Sequence, residues 1–234
     1  GGFNAALLGA YLGSGGNAGV PYDEEVLTSY EAGFKATLMG GAARLNGSAY
    51  YYDYADYQAF LFVGVGGVSI NQDAETFGME LELQASPTDS LDLILSASYV
   101  DASIDDLPLR SGSPLPTVDV EPTYTPEFQA FAMARYSFPL FRGDGAVQLD
   151  VSYSDEFYYN LRNFDADKFD SYVMMNGMIN WTAPNSGWSV SLLLNNITDE
   201  RAGIQGFDLA TLCGCNEVSY RAPRNYGIQV RKEF

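Results

Sequence analysis

The segment Tyr226-Gly-Ile-Gln-Val-Arg-Lys-Glu-Phe234 closes the chain and alternates apolar with polar side chains. Its apolar members fall on one side of an extended strand: Tyr226, Ile228, Val230 and Phe234. The last residues of a soluble domain are seldom tied down, and they usually fray in a polar tail. A strand that continues to a final aromatic residue is instead typical of the closing strand of a transmembrane β-barrel, whose outer face meets lipid.

The composition is compatible with a membrane barrel and excludes several other classes of protein. The 234 residues are 47% hydrophobic and include 17 Tyr, 14 Phe and 24 Gly, yet the mean hydropathy is only −0.10. No apolar run approaches the length of a transmembrane helix, whereas the alternating strands of a barrel average to a middling hydropathy. The net charge of −18 argues against nucleic acid as a partner, because no basic patch is present to neutralise phosphates.

Alternating segments recur along the whole chain and predict an all-β fold. One such segment places Tyr30, Ala32, Phe34, Ala36 and Leu38 on one face. We expect nine strands, with a possible tenth in the apolar stretch near the N-terminus. The other eight strands are expected near residues 44–62, 77–85, 91–99, 124–138, 147–154, 170–183, 188–195 and 226–234.

The connections between these segments are expected to alternate in length. Short turns follow Met39, Ser86, Phe138 and Ala183, and long loops are expected near 63–70, 103–123, 159–169 and 199–222. Short turns on one side and long loops on the other are typical of an outer-membrane barrel. A soluble β-sandwich also alternates, but its strands are usually five or six residues long.

Aromatic side chains near the strand ends fit the two interface girdles of a membrane barrel. They are Tyr99, Tyr136, Phe138, Tyr153, Trp181 and Trp188.

Both ends of the chain, and its two cysteines, give further expectations. The opening Gly1-Gly-Phe-Asn-Ala lacks a Met, a basic segment and an apolar signal segment, so we expect an export signal upstream of this sequence. Cys213 and Cys215 supply two ligands where structural zinc usually takes four, which favours an oxidised pair. The two sulfurs bond either with each other across Gly214, in a ring that we expect to be strained, or with partners outside this chain.

Five motifs in register make the sequence resemble the TonB-dependent outer-membrane receptors, in their siderophore-receptor-like branch. They are Ser29-Tyr-Glu-Ala-Gly-Phe-Lys35, Ala49-Tyr-Tyr-Tyr-Asp-Tyr-Ala-Asp-Tyr-Gln58, Thr76-Phe-Gly-Met-Glu-Leu-Glu82, Leu194-Asn-Asn-Ile-Thr-Asp-Glu-Arg201 and Ala222-Pro-Arg-Asn-Tyr-Gly-Ile228 with the closing Phe234. The match is to the C-terminal portion of the family's barrel. One departure is Lys232, where the family usually places another aromatic residue; a lysine can snorkel to the interface there, at some cost to recognition by the barrel-assembly machinery.

The resemblance implies a fold and a set of partners for the whole protein. Residues 1–234 would form about 9–10 antiparallel strands of a 22-stranded transmembrane barrel, and the N-terminal plug, its TonB box and the earlier strands lie outside this sequence. An open half-barrel leaves unpaired edges in lipid, so the segment either closes with those earlier strands or is a small independent barrel; the resemblance favours the first. The implied partners are outer-membrane lipid, the TonB–ExbB–ExbD system, the barrel-assembly machinery and a small-molecule ligand.

The resemblance also implies a function, which is uptake of a scarce ligand such as a ferric siderophore across a Gram-negative outer membrane, driven by TonB. The ligand-binding candidates are aromatic and Arg residues of the loops, which suit a planar or anionic chelate: Phe60, Phe62, Tyr158, Tyr159, Arg162 and Phe207. The closing residues Tyr226, Ile228, Val230 and Phe234 are the candidate assembly signal.

Two alternatives remain open, a passive porin-like small barrel and an outer-membrane enzyme. The sequence contains no His and no Gly-x-Ser-x-Gly elbow, so we expect neither enzymatic activity nor a cofactor. The carboxylates Glu80, Glu82, Asp92 and Asp150 are expected to line a hydrated lumen. Asp101, Asp105 and Asp106 lack the glycine-centred spacing of a calcium loop.

Overall fold

The computed structural model describes residues 2–3, 21–63, 66–108 and 117–233. In chain order, the first eight strands are β1 (Gly2–Phe3), β2 (Pro21–Tyr22), β3 (Val26–Leu38), β4 (Ala43–Val63), β5 (Gly66–Thr88), β6 (Leu91–Pro108), β7 (Thr117–Val120) and β8 (Phe128–Leu140). The remaining eight are β9 (Gly143–Ser154), β10 (Phe157–Tyr158), β11 (Lys168–Phe169), β12 (Tyr172–Thr182), β13 (Trp188–Asn195), β14 (Gly203–Leu209), β15 (Cys215–Tyr220) and β16 (Asn225–Lys232). The helical pieces are short: Met39–Gly41, Asp165–Asp167 and Ala210–Cys213.

Nine long strands form one antiparallel wall in the order β16-β13-β12-β9-β8-β6-β5-β4-β3, with β7 paired to the end of β6. Each wall strand pairs with the next wall strand along the chain, and the small strands β7, β10, β11, β14 and β15 lie in the connections between them. The nine expected strands are confirmed. Most of the stretch in which a tenth was expected lies outside the described residues, and β1 pairs only with β2 in a small separate sheet.

The period of two in the sequence divides the wall into an apolar face and a polar face. Paired residues share a face, so Phe34, Gly47 and Leu81 follow one another across three strands, as do Lys35, Asn46 and Glu82. The apolar face is exposed in the isolated chain: Met79 is 51% exposed, Leu81 50%, Ile228 76% and Val230 59%. Such a broad apolar surface does not face water in stable monomers, and it is typical of the lipid-facing side of a membrane barrel. We call the opposite side the inner face.

Aromatic side chains form a band at each end of the apolar face. Tyr136, Phe138, Trp181 and Trp188 lie near the short turns, and the rings of Tyr136 and Phe138 stack at 6.0 Å. Tyr99, Phe128 and Tyr153 lie near the long loops. Lys232 pairs with Trp188 on the apolar face, and its Nζ bonds the carbonyl of Ser186 in the adjacent turn. The charged end of Lys232 is therefore directed to the backbone of the turn, and its snorkelling to a membrane interface stays a prediction.

The four short turns lie where the sequence predicted them. In the first of these turns Gly40 and Gly41 have φ angles of 65° and 106°, and the wide angle at Gly41 is one that only glycine adopts without strain. Opposite these turns is the long-loop end of the wall.

Two expected loops are largely strand. The expected 63–70 loop is wrong, because β4 continues to Val63 and β5 begins at Gly66. The expected 103–123 loop is wrong in part, since β6 extends to Pro108 and pairs with β7. The loops expected at 159–169 and 199–222 are confirmed as long excursions, which contain the two small sheets β10–β11 and β14–β15.

A β-bulge between Tyr54 and Tyr57 changes which residues of β4 lie on the inner face. β4 has one extra residue there, and Asp56 takes a φ of 58° while its amide donates to Oδ1 of Asp73 at 3.2 Å. Because a bulge inserts one residue into one strand only, odd-numbered residues of β4 lie on the inner face beyond it. Ala59 and Leu61 therefore lie inward, and Phe60 lies outward.

Candidate functional site

The inner face of the wall forms an open groove of about 860 Å³. Polar side chains from six strands line much of it: Lys35, Asn46, Glu80, Glu82, Ser98, Gln129 and Ser152. This lining is what a water-filled or plugged lumen requires, since such interiors are polar.

Three carboxylates of the inner face, Glu82, Asp92 and Asp150, are hydrogen-bonded to neutral side chains. Gln84 donates to Glu82 at 2.5 Å, Ser86 donates to Asp92 at 2.7 Å, and Asn176 donates to Asp150 at 2.8 Å. The expected lumen-facing position of these carboxylates is confirmed. Within the described residues, no group of three or more acidic or thiol side chains is arranged to hold a metal ion. Among the same residues, no helix is long and apolar enough to cross a membrane.

Above the groove, at the long-loop end, an apolar cluster joins the ends of β4 and β5, the ends of β6 and β7, and the 155–171 loop. Its members come from β4, β5, β6, β7 and the 155–171 loop: Ala59, Leu61, Val68, Ala74, Ile104, Leu107, Val120 and Leu161. Ile104 and Leu107 are both fully buried. Since Ile104 pairs with Ala74 on the inner side of β5, this mouth cluster projects over the lumen side of the wall.

A second unit at the mouth joins the 155–171 loop to the 203–220 hairpin, which consists of β14, the helix Ala210–Cys213 and β15. We call the contact between this loop and this hairpin the polar junction. Arg162 forms an ion pair with Asp208, and the two side chains are only 14% and 4% exposed. Asn216 extends its amide group to Tyr159 Oη at 2.8 Å and to Asp167 Oδ1 at 3.0 Å. Side chains that are buried between the loop and the hairpin therefore hold the two together.

Two glycines let the hairpin approach the aromatic side chains of the loop. A Cβ atom added to Gly206 would lie 2.5 Å from Cγ of Tyr159, at the base of the ring. Gly203 is similarly covered by the ring of Phe169. Tyr159, Phe157 and Phe169 pack together below, with the rings of Tyr159 and Phe169 5.0 Å apart.

Asp167 is the unusual member of the polar junction. It is 1% exposed, and its Oδ2 has no hydrogen-bond partner among the described residues. Burial raises the pKa of Asp167 above its ordinary value, against the opposing influence of Arg162, Asn216 and Tyr159. Burial also raises the pKa of Tyr159, with the negative charge of Asp167 as the next cause.

The Leu194-Asn-Asn-Ile-Thr-Asp motif forms hydrogen bonds with both ends of the segment that connects β13 to β16. Asn196, 3% exposed, donates to the carbonyls of Glu200 at 2.9 Å and Ala222 at 3.1 Å. The amide of Arg224 donates to Asp199 at 2.9 Å. The two motifs that flank the 203–220 hairpin therefore bind each other and hold its two ends together.

A polar pocket of about 340 Å³ lies between the loop and the hairpin. Its charged lining residues are Lys168, Arg201, Asp170 and Glu200, and Tyr172 and Tyr220 add aromatic rings. The Arg201 guanidinium is 4.7 Å from the centre of the Tyr220 ring, and Lys168 pairs with Glu156 at 2.8 Å. Tyr172 also lines the inner groove beside Arg221, so it is common to the pocket and the groove.

The structure separates the six ligand-binding candidates. Tyr159 and Arg162 come together in the polar junction, where their polar groups are already paired. Tyr158 is half-buried beside Lys168, and Phe207 is 45% exposed on the hairpin. Phe60 is 58% exposed on the outward side, and Phe62 pairs with Gly67 but has its side chain outside the described part. Their roles in ligand binding remain predictions.

Sequence reasoning did not single out Asp208 or Asn216 as site residues. No local pattern distinguishes them, since each is an ordinary polar residue of a turn-rich segment. Cys213 and Cys215 are joined in a disulfide at the exposed tip of the hairpin, across Gly214 with its φ of 67°. Phe234 lies outside the described residues, while Tyr226, Ile228 and Val230 all project to the apolar face.

An antiparallel wall that is apolar outside and polar inside, with packed loops at one end, is a portion of a β-barrel. Residues 2–197 match the family model described as TonB dependent receptor-like, beta-barrel. The chain belongs to this family, in its barrel domain.

Solved structures show the same fold at low sequence identity. The ferric yersiniabactin uptake receptor FyuA from Yersinia pestis superposes with a TM-score of 0.74 at 16% identity, over 92% of this chain and 31% of that chain. The pyoverdine outer membrane receptor FpvA from Pseudomonas aeruginosa PAO1, bound to pyoverdine, gives 0.65 at 16% identity over 90% and 30%. The ferric preacinetobactin receptor BauA from Acinetobacter baumannii gives 0.63 at 17% identity over 87% and 29%. The chain thus spans about three tenths of these receptors.

Proposed function

We propose that residues 1–234 are the C-terminal part of the barrel of an outer-membrane receptor that imports a scarce ligand, a ferric siderophore or similar chelate, with TonB-coupled energy. The observation that carries this proposal is the division of the wall into an apolar outer face and a polar inner face beneath packed loops. Family membership supports it, and so does the likeness of the fold to a ferric yersiniabactin uptake receptor and a pyoverdine outer membrane receptor.

The edges of the wall support a larger barrel. Within the described residues, β3 pairs only with β4 and β16 only with β13, so each strand keeps one free edge. Lipid offers no hydrogen bonds to an unpaired backbone edge, so spanning sheets must be closed. We propose that earlier strands of the complete protein pair with both edges, in a 22-stranded barrel that encloses a plug.

The pocket between the loop and the hairpin supports a chelate as the ligand. Lys168 and Arg201 supply cationic groups there, beside the carboxylates of Asp170 and Glu200. Tyr172 and Tyr220 supply rings, and aromatic rings with cations suit a planar or anionic ligand. We propose Tyr158, which pairs with Lys168, and the exposed Phe207 as further ligand contacts, and assign Tyr159 and Arg162 to holding the loop and the hairpin together.

The proposed partners follow from this function. The outer face would contact outer-membrane lipid, the upstream plug would engage TonB–ExbB–ExbD, and the barrel-assembly machinery would read the closing strand with Tyr226, Ile228, Val230 and Phe234. No enzymatic activity is proposed.

Uptake by the complete receptor in a Gram-negative host lacking its own siderophore receptors tests the proposal. We expect accumulation of labelled ferric siderophore that requires TonB. Arg201→Gln should weaken binding, whereas Arg231→Gln is the matched control, because Arg231 is 69% exposed and paired with Glu233. Permeation of small solutes that does not depend on TonB would instead support the porin-like alternative.

A further inference from the structure

The polar junction contains two buried carboxylates and one buried guanidinium. Asp208 is paired with Arg162, so the single positive charge of the junction is already shared with a carboxylate. Asp167 accepts a hydrogen bond from Asn216 at Oδ1 and has the Tyr159 hydroxyl beside it, while its Oδ2 has no partner in the described part of the chain. An ionised carboxylate in such a place costs free energy unless it is paired and fully hydrogen-bonded.

The charged and titratable groups around Asp167 do not remove this cost. From its own loop, Arg162 faces both acids and Tyr159 lies beside it. Lys168, the next residue, is bonded to Glu156. From the hairpin, Asp208 adds a second negative charge, and Asn216 is neutral. The NH₂ group of Asn216 has two hydrogens, yet it lies 2.8, 2.9 and 3.0 Å from Tyr159 Oη, the carbonyl of Ala166 and Asp167 Oδ1.

Docking of the hairpin is what encloses Asp167, since Asn216 belongs to β15 and Asp208 to β14. When the hairpin leaves the loop, water can solvate the carboxylate. The cost of the buried charge therefore falls on the docked state alone.

We propose that Asp167 makes the docking of the 203–220 hairpin sensitive to protons. The hairpin binds the 155–171 loop most tightly when Asp167 is neutral, and it is released more readily when Asp167 is ionised. The proposal concerns the junction itself and does not depend on which ligand the receptor takes up.

Proton linkage determines whether docking of the hairpin strengthens or weakens as the pH rises. In the released state Asp167 titrates near its ordinary value of about 3.9, whereas burial raises the pKa of Asp167 in the docked state. The docked state therefore binds the proton more tightly, and docking is strongest at pH values below the ordinary pKa. Docking weakens as the pH rises through the docked-state pKa, by about tenfold for each unit of difference between the two states.

Amide hydrogen exchange of the complete receptor in detergent tests this inference. Protection of residues 203–220 is compared at pH 4.5, 6 and 7.5, after correction for the chemical exchange rate. We expect protection of the hairpin to fall with rising pH, while the amides of β12 and β13 keep constant protection. Uniform protection of the hairpin at all three values would overturn the proposal.

Two substitutions test whether Asp167 causes the pH dependence of hairpin protection. Asp167→Asn replaces the carboxyl group by a neutral group of the same shape and should make protection independent of pH. Asp165→Asn, on an exposed acid of the same short helix, is the control and should keep the pH dependence. Persistence of the full pH dependence in Asp167→Asn would refute the assignment.

Asn216→Ala provides a test should Asp167→Asn disturb the local fold. It removes the hydrogen bond that the hairpin donates to Asp167 and should lower hairpin protection at every pH, with a larger loss where Asp167 is ionised. A hairpin with unchanged protection would show that these side chains do not hold it.

Discussion

The mouth cluster and the polar junction lie at the same end of the wall and share the 155–171 loop, but opposite interactions hold them. Leu161 of the loop packs into an apolar cluster with Ile104 and Leu107, which are fully buried. On its other side, the loop meets the hairpin through Arg162, Tyr159 and Asp167. Apolar burial is non-directional and does not depend on proton concentration, whereas buried charges depend on geometry and protonation. We therefore expect the mouth cluster to keep the same stability at every pH, and the polar junction to respond to the protonation of Asp167.

The largest expected effect comes from breaking the buried ion pair of the polar junction. Arg162→Ala leaves Asp208 buried without its partner and should lower the free energy of opening of the hairpin by about 3–5 kcal/mol. Amide exchange of residues 203–220 measures it. In the double variant Arg162→Met with Asp208→Leu, an apolar pair replaces the ion pair and should recover most of the loss. A double variant as loose as Arg162→Ala would contradict this account of the junction.

A large-to-small substitution in the mouth cluster should cost somewhat less. Ile104→Ala removes a fully buried side chain and should lower the local free energy of opening by about 2–4 kcal/mol, equally at acid and neutral pH. Exchange of the amides of β4 and β5 beyond the bulge reports this change. Phe60→Ala, on the opposite side of the same hairpin, is the control and should cost less. Marked pH dependence in Ile104→Ala would remove the distinction between the two units.

Filling the space above Tyr159 tests how closely the hairpin must approach. Gly206→Ala places a methyl group against the base of the ring and should destabilise docking by about 1–3 kcal/mol. In the wall, Gly227→Ala has its nearest atoms at 3.7 Å and should be tolerated. Hairpin exchange as slow in Gly206→Ala as in the native receptor would mean that the docked contact is looser than described.

The smallest effect is expected from a single hydroxyl group. Tyr159 donates to the carbonyl of Ala166 at 2.8 Å and accepts from Asn216 at 2.8 Å. Tyr159→Phe keeps the ring over Gly206 and should loosen the hairpin by about 1 kcal/mol. Tyr158→Phe, in the adjacent half-buried position, should leave hairpin exchange unchanged. An equal loss in both variants would place the effect outside the junction.

The strands of the wall were predictable from the sequence because alternation and turn residues are properties of neighbouring positions in the chain. Strict alternation in segments such as Phe77 to Ala85 determines which side chains meet lipid, and the short-turn sequences determine where each strand reverses. The predictions failed where the loops continue as strands. Residues 57–63 and 66–72 carry no clean alternation, and the bulge at Asp56 reverses the inward and outward residues of β4, so Phe60 lies outward.

The sequence by itself determined the all-β class, the number of wall strands, their two faces and the family. A period of two and the spacing of turns suffice for these, since each is fixed by neighbours along the chain. Only the tertiary structure decided that Arg162 meets Asp208 and that Asn216 reaches Asp167, across 46 and 49 positions. Those contacts arise because the two loops fold onto each other above the wall, where no periodic pattern links the partners, and burial then gives ordinary polar residues their properties.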